Sequence, residues 1–241
     1  MSKTAELTRK DMKEPDRFQQ VATQAMGWIG VHRQQAVVGG LAALAIAVGV
    51  VAALAIQASR AERAGAEGST LLSAVGGEIS PVPLPGVPGP FYPSEEARQK
   101  AVVVDADRLL ADYPASGPAK LALLAKGDAH YRLGDLDAAA QAYDRYLAET
   151  DGKDSLRFGA LEGLALVAEA RNDLEGAVRG WERLGKEVPA FADRADLEGA
   201  RVLVRSGKPD EARKLLEGFS ERHPGSYLTV EASRKLGAMG K

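Results

Sequence analysis

Residues 36–56 are twenty-one consecutive positions with no charge and no side chain more polar than alanine. At about 1.5 Å of rise per residue, a helix of that length covers about 31 Å, close to the hydrocarbon thickness of a bilayer. His32 and Arg33 bound the run on one side; Gln57, Arg60, Glu62 and Arg63 bound it on the other. The run reads as one membrane span, and everything after it as a tethered domain. A cleaved signal peptide is the first alternative, with Ala55 and Ala58 imitating a cleavage site. Its apolar centre would be only about 7–15 residues, so length favours an uncleaved anchor. A buried helix of a soluble fold is the second alternative, and it rarely needs an apolar surface all round. Within the run, Ala45, Gly49 and Ala53 recur every fourth position, which would suit close helix packing in a membrane.

Charge is uneven about this run. Residues 1–35 carry six Lys/Arg against four Asp/Glu, and residues 57–241 carry 25 against 29. No basic face of the kind that binds nucleic acid is present. The chain has no cysteine, which excludes disulfides and thiolate metal sites without assigning a compartment. Near the span, Arg17 and Arg33 balance Arg60 and Arg63, while Lys3, Arg9, Lys10 and Lys13 lie further out on the N-terminal side. The positive-inside tendency leans toward a cytoplasmic N-terminus. In a Gram-negative cell the C-terminal domain would then be periplasmic.

Before the span, Phe18, Val21, Ala22, Ala25, Met26 and Ile29 recur at three- and four-residue steps, with Trp28 beside them. Two readings fit this amphipathic helix equally. It lies on the membrane surface with Trp28 at headgroup level, or it simply extends the anchor. After the span, residues 57–77 are alanine-rich and favour a helical extension. Then Pro81, Pro83, Pro85, Pro88, Pro90 and Pro93 crowd together, so residues 78–93 are expected to be an extended, semi-rigid loop. A polyproline ligand for an aromatic groove is the lesser reading.

From residue 94 onward the pattern is helical throughout, and it repeats. Gly127, His130, Gly134, Ala139, Tyr143 and Tyr146 align with Ala165, Ala168, Asn172, Ala177, Trp181 and Leu184. Both sets align with Ala200, Leu203, Gly207, Ala212, Leu216 and Phe219. The three alanines after the turn are 38 and 35 residues apart. A small residue in the first slot lets antiparallel helices approach. Gly134, Asn172 and Gly207 suit a left-handed helix end. Pro189 and Pro224 close second helices, and Pro209 fits a first helical turn. Residues 94–113 read as an upstream second-type helix, with residues 57–76 as its partner. Residues from Ser226 to about Gly237 read as a terminal capping helix begun by a serine cap.

The stretch LAKGDAHYRLGDLDAAAQAY, residues 124–143, resembles a tetratricopeptide repeat (TPR). With the short motif KEPDRF at residues 13–18, a span, an alanine-rich helix and repeats, the layout is similar to single-span inner-membrane proteins related to the ancillary subunit of the Sec translocon. The resemblance implies an all-α fold: an N-terminal transmembrane helix followed by a TPR-type α-solenoid with a proline-rich insertion. The expected parts are a cytoplasmic tail with amphipathic helix (1–35), the span (36–56), a helical extension (57–77), the proline-rich loop (78–93) and a TPR domain of about three repeats (94–241). The resemblance also implies a membrane-anchored adaptor of the cell envelope, accessory to translocation or to periplasmic chaperones. The alternative is a structural scaffold subunit of a division, secretion or motility complex. The proline-rich stretch departs from the family's layout.

No catalytic pattern accompanies this. His32, His130 and His223 stand in unrelated contexts, and no HExxH, GxSxG or phosphate loop occurs. Asp135, Asp137, Asp173, Glu175, Asp210 and Glu211 sit at helix starts, where carboxylates favour the helix dipole. Asp151, Gly152 and Asp154 form a polar loop without EF-hand spacing. The chain is therefore expected not to be an enzyme and to need neither cofactor nor metal. Binding remains, on the surface lined by the first helix of each repeat. The candidate groove comprises Leu121, Leu124, Asp128 and Tyr131, then Glu162, Leu166 and Glu169, then Arg194, Leu197, Arg201, Val204 and Arg205. It would grade from acidic and apolar to basic and suit proteins or extended peptide segments such as translocon subunits or chaperones. The same residues also fit a merely solvated scaffold face. A carboxylate clamp is rejected, because Leu124 and Asp128 stand where Lys and Asn are needed.

Overall fold

A computed structural model describes residues 17–239. Lys3, Arg9, Lys10, Lys13 and the first four positions of the 13–18 motif lie outside the described residues, as do residues 240–241. The chain divides into two compact units, Met1–Ser59 and Arg60–Lys241.

In the first unit, α1 (Arg17–Val31) stops at His32 and α2 (Arg33–Val75) starts at once. The backbone stays hydrogen-bonded across the junction, with the His32 amide donating to Trp28 and the Ala36 amide to His32. The His32 ring stacks on Trp28 at 5.0 Å. Leu41, Leu44, Ile46, Val50, Val51, Leu54 and Ile56 are all exposed. The helix is long and apolar enough to cross a membrane, and none of its most apolar window is buried.

In the second unit, the late turns of α2 bury Ala64, Leu71 and Ala74. The proline-rich loop is closed at its base. β1 (Glu78–Ile79) and β2 (Phe91–Tyr92) pair in parallel, aligning Glu78 with Phe91 and Ile79 with Tyr92. Gly77 makes the closure fit: a Cβ there would lie 2.5 Å from the Tyr92 ring. Arg98 ties the same point to the next helix by donating to the Gly77 carbonyl at 3.0 Å. Proline composition predicts extension, but pairing between chain segments eleven or more residues apart has no local sign.

Nine helices follow among the described residues: α3 (Glu95–Asp112), α4 (Gly117–Leu133), α5 (Leu136–Glu149), α6 (Arg157–Ala170), α7 (Leu174–Glu187), α8 (Ala192–Arg205), α9 (Pro209–Leu216), α10 (Phe219–Arg222) and α11 (Thr229–Ala238). A single 3-10 turn, Pro189–Phe191, precedes α8. From α3 to α9 each helix packs on its neighbour in sequence, and α4 also meets α6.

The three turns inside helical pairs are built alike. Asp135, Asp173 and Lys208 donate their amides to the carbonyls of His130, Ala168 and Leu203, at 2.9 Å in each case. This is the Schellman closure, which needs a left-handed residue just before the donor. Gly134, Asn172 and Gly207 supply it, with φ of 81°, 59° and 77°. Asn172 is the one non-glycine at positive φ among the described residues. Asp135 and Asp173 then cap the next helix through the amides of Ala138 and Gly176. In the third turn Lys208 provides no such cap, and Pro209 at the first turn of α9 takes the place of an orphan amide.

The core lies between the helices as three buried clusters. Leu71, Ala74, Val102, Leu109, Leu123, Tyr143 and Tyr146 belong to the first. The second gathers around Trp181 with Leu161, Leu184 and Val202. The third holds Leu197, Leu203, Leu216, Phe219 and Ala232. The shared first cluster places the end of α2 against α3.

Two expectations about the C-terminal part are corrected. The second helix of the third repeat is not continuous, because Gly218 takes φ of 67° and separates α9 from α10. Arg222 stabilises the break by donating to the Glu217 carbonyl at 2.7 Å, and also to that of Leu215. The terminal helix starts at Thr229, not at Ser226. Ser226 instead closes the turn, accepting from Leu228 at 3.1 Å and donating to Asp193 at 2.6 Å.

Arg157 locks α5, α6 and α7 together. It is buried, donates to the carbonyls of Leu147 and Thr150 at 3.0 and 3.2 Å, and pairs with Glu187 at 2.8 Å. Removing it strands two carbonyls at the end of α5. Arg157→Met is expected to cost about 2–3 kcal/mol, less than for a fully buried pair because Glu187 is partly exposed. Arg157→Lys should recover little of that loss, since one ammonium does not span the fork. Urea denaturation midpoints of the three proteins check this, and a Met variant within about 0.5 kcal/mol of wild type would contradict it.

Candidate functional site

The inner helices α4 and α6 enclose a recess of about 540 Å³. Five of the expected groove residues line it: Leu124, Asp128, Tyr131, Glu162 and Leu166. The sequence pattern did not identify Arg132, Leu156, Phe158, Gly159 or Gly163, which line it too. Tyr143 forms part of its wall.

Tyr143 is held by what is missing around it. A Cβ on Gly127 would lie 2.5 Å from its ring, and one on Gly163 would lie 2.3 Å away. The ring from α5 is thus clamped between bare backbone of α4 and bare backbone of α6. Gly127 was legible as the small slot of the first repeat. Gly163 was not, though it stands 36 residues later, and that spacing was the available signal. The fixed ring aims its hydroxyl at Asp128, donating at 2.6 Å. Burial first, then the Asp128 charge, pushes the phenol well above its usual range, so it stays a donor. Desolvation by the surrounding walls pushes the Asp128 carboxyl up, against the Tyr143 hydrogen bond and the Arg132 charge, which pull it down.

The remaining expected residues fall elsewhere. Leu121 is exposed on α4, a turn before Leu124, and does not line the recess. Leu197 is corrected outright: it is 3% exposed and belongs to the third core cluster, so no partner can touch it. Its position on α8 faces α9 rather than the open side. Val204 is exposed and shares a separate shallow hollow with Arg201, Pro209 and Met239.

The expected gradient from acid to base also changes meaning. Its charges face each other across consecutive inner helices. Arg194 of α8 pairs with Glu162 of α6. Arg201 grips Glu169 with both terminal nitrogens at 2.7 Å, and Arg205 joins at 2.7 Å. Those basic residues are therefore cross-links between repeats before they are ligands for anything else. On the other side of the helical pairs, Arg171 meets Asp137 and Lys208 meets Glu175, again one repeat apart.

Hydrogen bonds from Arg201 hold the Glu169 carboxyl below the usual carboxylate range, and those from Arg157 do the same for Glu187. A group whose folded pKa lies below its unfolded value stabilises the fold above that unfolded value. The contribution is lost as pH falls through the folded pKa. Asp128, shifted the other way by desolvation, opposes this trend. The thermal midpoint is expected to decline as pH drops below about 4.5, and Glu169→Gln should flatten the decline. Midpoints that rise on acidification would contradict these assignments.

Residues 105–155 and 197–239 match the sequence profile described as tetratricopeptide repeat. Both stretches resemble tetratricopeptide repeats. They account for the helical pairs α4–α5 and α8–α9, and TPR units are protein-interaction modules. The pair α6–α7 falls between the matched stretches and has the same Schellman turn, with Trp181 in its core. A similar solved structure is the crystal structure of MamA, at a TM-score of 0.47 and 15% identity, covering 59% of this chain and 77% of that one. No curated protein matches the sequence.

Proposed function

We propose that this chain is a membrane-anchored TPR adaptor whose inner recess holds segments of other proteins at the cell envelope. The observation that carries the reading is the recess between α4 and α6, where Leu124, Leu166 and Phe158 offer apolar surface beside the Asp128–Tyr143 pair. Apolar walls with a few placed polar groups are what an inserted peptide side chain requires. The exposed apolar stretch of α2 supports the anchor. Ten large aliphatic side chains between Val37 and Ile56 would otherwise stand in water, far beyond what a soluble monomer leaves uncovered. The charge distribution about the span favours a cytoplasmic N-terminus and a periplasmic TPR domain, accessory to translocation or to chaperones.

A photoreactive side chain at Leu166, in native membranes, should yield discrete crosslinks to translocon subunits or periplasmic chaperones. Protease added to spheroplasts should digest residues after the span. Release of the full chain by alkaline carbonate would overturn the anchor, and an absence of crosslinks at Leu166 would overturn the recess. A second reading, a fixed scaffold subunit of an envelope complex, draws on the ion pairs that close Glu162 and Glu169. Stoichiometric copurification with one large assembly would favour it.

A further inference from the structure

We infer that the recess is selective for a basic side chain, lysine or arginine, on an extended and otherwise apolar peptide, with Asp128 as its counter-ion. This rests on the adaptor reading and adds the chemistry of the ligand. Among the inner-face carboxylates, Glu162 is neutralised by Arg194 and Glu169 by Arg201 and Arg205. Asp128 has no ion pair with any Lys or Arg among the described residues; it accepts a hydrogen bond from the neutral Tyr143 hydroxyl. Arg132, one turn on, also lines the recess and its charge draws the Asp128 carboxyl down, but its ion pair, at 3.8 Å, is with Glu95. Asp128 is therefore the carboxylate of this recess that no Lys or Arg among the described residues pairs with directly.

The site is also preorganised. Tyr143 cannot swing, because Gly127 and Gly163 press on its two sides. Its hydroxyl occupies Oδ1 of Asp128, which orients the carboxylate before any ligand arrives. Leu124, Phe158 and Leu166 are placed to cover the methylene stem of a long cationic side chain while its head reaches the carboxylate. An acidic side chain entering the same place would meet Asp128 and Glu162 together. A neutral aliphatic side chain would leave the carboxylate desolvated with no compensating charge, which is the costly arrangement.

The test uses the full chain in a zwitterionic detergent and short fluorescein-labelled peptides. Each peptide carries Leu and Ser around one central residue: lysine, arginine, norleucine or glutamate. Anisotropy should show the lysine and arginine peptides binding about tenfold tighter than norleucine, with glutamate weakest. Asp128→Asn keeps an oxygen for the Tyr143 hydroxyl and deletes only the charge. It should bring the lysine preference to about twofold or less while the thermal midpoint stays unchanged. Equal binding of lysine and norleucine peptides, or an Asp128→Asn variant that keeps its preference, overturns the inference and leaves the adaptor reading standing. No binding of any peptide, together with no crosslinks at Leu166, overturns both.

Discussion

Replacing Trp181 by alanine should lower the unfolding free energy by about 3–5 kcal/mol, the largest loss expected from one substitution in this chain. The indole is 1% exposed and sits at the joint of three helices. Leu161 and Ala165 of α6, Leu184 of its own α7, and Ala195 and Val202 of α8 share its cluster. Truncation removes the apolar area and leaves a cavity that small alanine neighbours cannot fill. Because each helical pair contacts mainly its neighbours, the damage should also be positional. The second pair should uncouple from the third, giving a broader urea transition with a lower slope. Trp181→Phe should cost distinctly less. The indole nitrogen is buried without a hydrogen-bond partner, so phenylalanine removes an unsatisfied donor while keeping much of the volume. A Trp181→Ala loss under about 1 kcal/mol would show that the joint collapses freely around the gap, contrary to the packing described.

Gly163→Val should cost roughly 3 kcal/mol, at the upper end for overpacking. The first atom added would stand 2.3 Å from the Tyr143 ring, inside any tolerable contact. The ring cannot retreat, since the Gly127 backbone waits on its other side. For a unit of this size the thermal midpoint should fall by about 6–12 °C. Tyr143→Ala alone is also destabilising, because it empties the same space. The double variant Gly163→Val with Tyr143→Ala should be markedly less damaged than the sum of the two, since valine then occupies part of the vacated volume. Strict additivity would mean that the two residues do not touch in solution. The double variant should also lose peptide binding at the recess, because Asp128 then has no Tyr143 hydroxyl to orient it.

The helical pairs were legible because their signals are local. A glycine or asparagine directly before an aspartate cap predicts the turns at 134 and 172, and Gly207 before Lys208 and Pro209 predicts the third, whatever the rest of the chain does. The seven-residue gap between Tyr143 and Leu136 needs no tertiary knowledge to be read as one helix face. Asp135 and Asp173 at helix starts were read as structural, and they cap α5 and α7. Where a local signal was weak, the reading slipped. Ser226 looks like a cap by type but spends its oxygen on a turn, and Gly218 breaks a helix that spacing alone would carry through.

The candidate face was legible only in part. Leu124, Asp128, Tyr131, Glu162 and Leu166 emerged because α4 and α6 occupy equivalent places in successive repeats. Leu197 did not behave like its counterparts, because it packs with Ala212, Leu216 and Phe219, and burial is set by neighbours rather than by register. The pairing of Arg201 and Arg205 with Glu169 joins residues 32 and 36 positions apart. No window of sequence shows that these charges cancel. Sequence alone thus determined the helices, their turns and the apolar stretch at 36–56, since backbone sterics, caps and hydropathy act within a few residues. Tertiary structure alone decided which carboxylate goes without an ion pair and which glycines clamp Tyr143, since those depend on distances between atoms that the chain order keeps far apart.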